Sequence, residues 1–198
     1  MSGIVGGINL RSSGLINIGS ASDGQVFTGT GAGLPVGFEA AAGGGFYESM
    51  AIIADEVAYN ANAQGLTAGA WRTRNLNTEV YDPDGIVSIG SNQFTLQAGT
   101  YTLEWEVVGY LIGTHLTKIY NITDSADITN CWGLQQTNYG STSSSSSGMH
   151  VLTIDAEKIL ELQHRCDTTN ASHGGGTTQA ADSNAKGRYA TIKIYKHA

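Results

Sequence analysis

Gln93-Phe94-Thr95-Leu96-Gln97 and, after a turn at Ala98-Gly99, Tyr101-Thr102-Leu103-Glu104-Trp105-Glu106-Val107 decide the fold. In both stretches large apolar side chains alternate with polar ones. A period of two places Tyr101, Leu103, Trp105 and Val107 on one face of a strand. One face sealed and the other wet is the mark of an antiparallel β-sandwich. Leu116 to Ile122 is a further strand candidate, and so is Ala190 to Tyr195, where Ile192 and Ile194 share a face.

Two segments read either way. Ser49 to Ala58 carries Met50, Ile53, Ala54 and Val57 at helical spacing. Asp155-Ala156-Glu157-Lys158 could open a helix with Asp155 as its cap, or form a turn before a strand from Ile159 to His164. The neighbouring strands arrive at short intervals with turn signals between them. That context favours a strand for the first segment and turn-then-strand for the second.

Composition agrees. The chain has 198 residues, only 14% of them charged, with 27 Gly and two Pro. An average soluble domain carries about 25% charged residues and about half this share of glycine. Short strands joined by turns suit such a chain better than long helices. The net charge of −7 and the scatter of Lys and Arg argue against nucleic acid as a partner, which would call for a basic footprint. No apolar run approaches the ~20 residues of a membrane span, so membrane insertion is not expected. The opening MSGIVGGINLRSSG does not follow the pattern of a secretory signal. The sequons at Asn121 and Asn170 then read as chance matches.

The chain falls into an arm, residues 1–45, and a domain, residues 46–198, meeting at Gly43-Gly44-Gly45. The domain holds all three Trp and every Tyr. The arm has small apolar knots at Ile4, Ile8, Leu10, Ile16 and Ile18, too few to offset backbone entropy on their own. Alternating apolar residues are wasted in a linker, so these five residues are candidates for docking against paired strand edges or neighbouring subunits. Within the domain, the serine run from Ser143 to Ser147 and the stretch from Ser172 through Gly174-Gly175-Gly176 to Gly187 read as exposed loops.

Reactive constellations are sparse. The histidines, His115, His150, His164, His173 and His197, show neither HxH nor HExxH spacing. His164 reads as a packed or hydrogen-bonded residue. Asp82-Pro83-Asp84-Gly85 resembles part of a calcium loop but lacks a third oxygen position and a distal Glu, and Pro and Gly at these places suit a type I turn. Glu104 and Glu106 share a strand face and could reach the spacing of sugar-cleaving carboxylates, but that face is the wet one. Gly174-Gly175-Gly176 is not followed by Lys-Ser or Lys-Thr, and GxSxG does not occur. Cys131 and Cys166 read as small buried apolar residues, with a bridge between them left open. No catalytic residue, metal site or cofactor is expected.

Several stretches together resemble the C1q/TNF-like domain found in many tailed-phage virion proteins. They are Ala70-Trp71-Arg72-Thr73-Arg74-Asn75-Leu76-Asn77, Asn92 to Tyr101, Ile119-Tyr120-Asn121-Ile122-Thr123-Asp124, Glu161-Leu162-Gln163-His164-Arg165-Cys166 and Ile192-Lys193-Ile194-Tyr195-Lys196. They span most of residues 49–198 in order. In the arm, Asp23 to Thr28, Gly31-Ala32-Gly33 and Phe38 resemble a short element of phage fibres. The resemblance implies an all-β, ten-stranded antiparallel jelly roll that forms a homotrimer, located in the virion and without catalytic residues. It implies a short fibre or capsid decoration (cement) protein anchored by its arm to other capsid or tail proteins. The alternative is a tail-fibre tip that binds a host surface glycan or protein, with Tyr139 and His173 as the loop residues facing that receptor.

Overall fold

The computed structural model describes residues 25–29, 36–40, 46–138, 140–178 and 185–198. The chain divides into two units, Met1–Gly45 and Phe46–Ala198. In the first, β1 (Gln25–Gly29) and β2 (Val36–Ala40) pair antiparallel, with Phe27 opposite Phe38. The docking candidates Ile4, Ile8, Leu10, Ile16 and Ile18 lie outside the described residues, as does Tyr139.

The second unit carries β3 (Tyr47–Val57), β4 (Arg72–Thr73), β5 (Thr78–Tyr81), β6 (Val87–Gly90), β7 (Gln93–Leu96) and β8 (Gly99–Tyr110). It continues with β9 (Gly113–Asn121), β10 (Ala126–Trp132), β11 (Gln136–Asn138), β12 (Ser143–Ile154), β13 (Lys158–Cys166) and β14 (Gly187–His197). One sheet runs β10-β9-β13-β7-β6, with β11 also pairing β9 and β4 pairing β13; the other runs β12-β8-β14-β3-β5. Every pairing is antiparallel. No helix forms among the described residues.

The period of two decides which residues seal the sandwich. Tyr101, Leu103, Trp105 and Val107 are all at most 1% exposed. They meet Ile53, Phe94, Leu96, Ile119, Leu160, Leu162, Ile192 and Ile194 in one apolar cluster. Full burial of each such side chain contributes roughly 1.5–3 kcal/mol, which is what holds the two sheets together. Ser49 to Val57 is strand, as the neighbouring pattern suggests, because Ala51 and Ile53 find apolar partners across the interior; Ala58 lies just past its end. Asp155 to Glu157 form a turn and Lys158–Cys166 a strand.

The serine run departs from expectation. Ser143 to Ser147 is the first half of β12, paired with β8 from Ser143 opposite Tyr110 to Ser147 opposite Glu106. Serine survives there because the interior at that end is polar. Ser146 Oγ donates to the Leu134 carbonyl at 2.7 Å and lies 2.8 Å from Thr117 Oγ1. The glycine stretch also differs from an exposed loop, since Gly174, Gly175 and Gly176 are buried. A Cβ on Gly175 would come within 2.0 Å of Arg74 Nη1. Only glycine lets the chain pass this close to the guanidinium.

Candidate functional site

Trp105 marks the boundary between the apolar and polar halves of the interior. Its indole N–H donates to Thr117 Oγ1 at 2.9 Å. Beyond it, strands far apart in sequence deliver His115 and Thr117 from β9, Ser144 and Ser146 from β12 and His164 from β13. His164 Nε2 lies 2.9 Å from His115 Nδ1, and His115 Nε2 lies 2.7 Å from Ser144 Oγ. Asn138 closes this end. Its amide donates to the Gly109 carbonyl at 2.9 Å and to Ser144 Oγ at 3.1 Å, while its carbonyl accepts the Ile112 N–H at 2.8 Å.

Beside the histidines lies a buried ion pair. Arg74 and Asp55 are both 0% exposed, with Nη2 3.6 Å from Oδ2. Nη2 also donates to the carbonyls of Gly175 at 3.1 Å and Tyr189 at 3.3 Å. Burial raises the Asp55 carboxyl above its ordinary range, against the pull of Arg74. Burial brings Arg74 down to about 10, partly offset by Asp55. In both partners desolvation outweighs attraction, as it does for ion pairs removed from water.

The same cause acts on the imidazoles. Burial, then the Arg74 charge, brings His115 down to about 4 against a small opposing effect of Asp167. His164 is held well below its ordinary value by burial, Arg74 and His115. Both rings are therefore neutral at pH 7.

A serine, a histidine and a second histidine in sequence resemble the order of groups in a nucleophilic triad. The arrangement lacks the chemistry of one. A base with a pKa near 4 is a weak acceptor at neutral pH. The orienting group is a neutral ring beside a guanidinium rather than a carboxylate. Ser144 shares the inward side of β12 with the fully buried Ser146. This chain of groups gives buried polar atoms partners in the interior, apart from His164 Nδ1, which is buried without one; His164 is the packed, hydrogen-bonded residue that the sequence suggests.

The other singled-out residues do not converge on this group. His173 is half-buried, its ring 5.3 Å from that of Tyr110. Asp82 accepts the N–H groups of Ile86 at 2.9 Å and Val87 at 3.0 Å, one on each carboxylate oxygen, which holds the turn. Glu104 is paired with Lys193 at 3.1 Å on the outer side of its sheet. The sequon amides are engaged, Asn121 with Asp124 at 2.8 Å and Asn170 with the Tyr110 carbonyl at 3.1 Å. Cys131 and Cys166 are free and buried. Burial pushes the Cys131 thiol up to about 11 and raises that of Cys166.

Each sheet has an outer face with character of its own. On the β12-β8-β14-β3-β5 sheet, Met149 and Val151 are 69% and 55% exposed, and Tyr47 and Tyr81 are 41% and 51% exposed. Register aligns Val151, Thr102, Tyr195 and Met50 in one row and Met149, Glu104, Lys193, Ile52 and Tyr81 in the next. On the other sheet, Lys118 lies beneath Trp71, Tyr120 and Trp132. Sequence reasoning did not single out this second cluster. Its only local signal is Lys118 and Tyr120 on the wet side of a strand, which ordinarily means solvent.

No protein-family model matches the chain, and no curated protein matches it. Among solved structures it is similar to murine APRIL at pH 5.0, with a TM-score of 0.51 and 10% identity over 75% of this chain and 98% of that one. It is also similar to murine APRIL at pH 8.5, with a TM-score of 0.48 and 10% identity over 75% and 98%. The globular domain of the zebrafish complement 1qA protein gives a TM-score of 0.46 and 16% identity over 74% and 95%. The fold is a C1q/TNF-like antiparallel jelly roll, its two sheets following five-strand paths.

Proposed function

We propose that this chain is a non-enzymatic structural protein of a tailed-phage virion, a homotrimeric short fibre or capsid decoration protein held in place by residues 1–45. The observation that carries the reading is the ordered run of matching stretches across residues 49–198, set on a C1q/TNF-like jelly roll. The trimer is supported by the outer face of the β12-β8-β14-β3-β5 sheet. Met149, Val151, Tyr47 and Tyr81 leave apolar area in water there, and neighbouring copies around a three-fold axis would cover it.

Two experiments test this. Sedimentation of the purified chain gives a mass of three copies, and replacing Met149 and Val151 together by Glu lowers it to one. A single copy in the unaltered chain refutes the trimer. Deletion of residues 2–45 leaves a folded domain that no longer enters particles. Normal incorporation of the shortened chain refutes the arm as the anchor.

A further inference from the structure

Carboxylates outnumber cations in this chain, 17 to 10. Among the described residues every lysine and arginine pairs with a carboxylate, except Arg72 and Arg165. These two exceptions are neighbours. Arg72 on β4 stands in register with His164, the residue before Arg165 on β13. Burial and Asp167 raise the Cys166 thiol, while the nearby Arg72 charge works against them. Arg72, Arg165 and Asp167 are all exposed. Arg165 and Asp167 line an open cleft of about 620 Å³. Leu116, opposite Arg165 in the register of β9 and β13, gives this cleft an apolar patch. Ala68 and Gly69 supply another part of its wall, tied down by Ala68 N–H to Thr169 Oγ1 at 3.0 Å and Gly69 N–H to the Cys166 carbonyl at 3.2 Å. Asp167 Oδ1 accepts from the Thr114 N–H at 2.9 Å and from Thr168 Oγ1 at 3.1 Å, which leaves Oδ2 for another donor.

We propose that this cleft binds a sugar that carries one carboxylate, a sialic or uronic acid residue of a glycan. An unpaired guanidinium presents a planar fork of donors that matches a carboxylate through two parallel hydrogen bonds. Arg165 offers that fork at the wall of a cleft whose size suits a small ligand, and Arg72 adds a second positive charge beside it. Asp167 Oδ2 is an acceptor for a sugar hydroxyl, and Leu116 gives an apolar surface for the C–H groups of the ring. Charge sets the ligand class. Two guanidiniums and one carboxylate leave a single net positive charge, which fits one carboxylate. A phosphate monoester carries about −1.5 to −2 and is opposed by Asp167. A neutral sugar leaves the guanidinium unmatched. The cleft lies on the opposite sheet from the proposed trimer face, is open to solvent, and does not depend on the virion reading.

The test presents the intact chain to an array of sialylated, uronic-acid, phosphorylated and neutral glycans, followed by calorimetric titration with 3′-sialyllactose and with trigalacturonate. Glycans bearing a carboxylate bind, and neutral and phosphorylated ones do not. Arg165→Gln weakens the titrated binding at least about tenfold. Lys158→Gln removes the same charge from a residue outside the cleft and changes binding by less than about twofold. Arg165 is exposed and unpaired, so Arg165→Gln keeps the melting temperature, which separates lost recognition from lost folding. The proposal is overturned if no carboxylated glycan binds, if neutral or phosphorylated glycans bind as well as carboxylated ones, or if Arg165→Gln binds within about twofold of the unaltered chain. Equal losses in Arg165→Gln and Lys158→Gln also overturn it, because overall charge rather than this cleft would then attract the ligand.

Discussion

Acidification from pH 7 to pH 5 removes stability from this sandwich through His115. In the folded chain its pKa is about 4, against 6.5 for a free imidazole. The unfolded chain therefore takes up a proton as pH falls through 6.5 while the folded chain does not. Stability is fully present above pH 6.5 and falls on the way down to about pH 4. For one histidine with these values, the loss between pH 7 and pH 5 is at most about 2 kcal/mol. His164 acts in the same direction, since burial and the same guanidinium depress it. Their facing nitrogens are 2.9 Å apart, so a proton on one ring opposes a proton on the other, and the pair titrates as a unit. Urea unfolding at fixed protein concentration, at pH 7, 6 and 5, measures the loss. His115→Gln keeps a polar group in the layer but removes the ionisable one. It is less stable than the unaltered chain at pH 7 and has a flatter pH dependence. Parallel pH curves for the two proteins would refute the reasoning, because the pH dependence would then arise elsewhere.

Three other perturbations have defined outcomes. Asp55→Ala leaves the buried guanidinium of Arg74 with carbonyl partners only and costs about 3–5 kcal/mol; the double variant Asp55→Ala/Arg74→Met recovers much of this in denaturant titration. Gly148→Ala places a Cβ 2.2 Å from Trp105 Cζ2 and costs about 1–3 kcal/mol by overpacking, read as a lower melting temperature. With free, buried cysteines and the Cys131 thiol pushed up to about 11, neither cysteine reacts with a disulfide reagent in the folded chain. Both react in denaturant, and a reductant leaves the melting temperature unchanged.

The sandwich was legible wherever an apolar residue alternated with a polar one. Tyr101 to Val107 needed no further information, because such a strand has only one face it can bury. Ile192 and Ile194 were read by the same logic. Ser143 to Ser147 were not. A serine side chain carries no hydrophobic signal, and Ser144 and Ser146 are inward here only because His115, Thr117 and the Leu134 carbonyl supply partners from elsewhere in the chain. The Gly174 to Gly176 stretch failed similarly, since glycine looks like a loop until Arg74 is brought against it.

By itself, the sequence determined the strand periodicity, the absence of histidine spacing for a local metal motif and the two-part division of the chain's composition. Those properties reside in neighbouring residues, and the two-residue repeat of an extended backbone makes them visible. Tertiary structure decided which polar residues are buried. It joined His115 to His164, 49 positions apart, Asp55 to Arg74, and Lys118 to Trp71 and Trp132. Each of these contacts depends on strand order and register, and the free energy of removing a charge or an imidazole from water depends on neighbours that sequence proximity does not reveal.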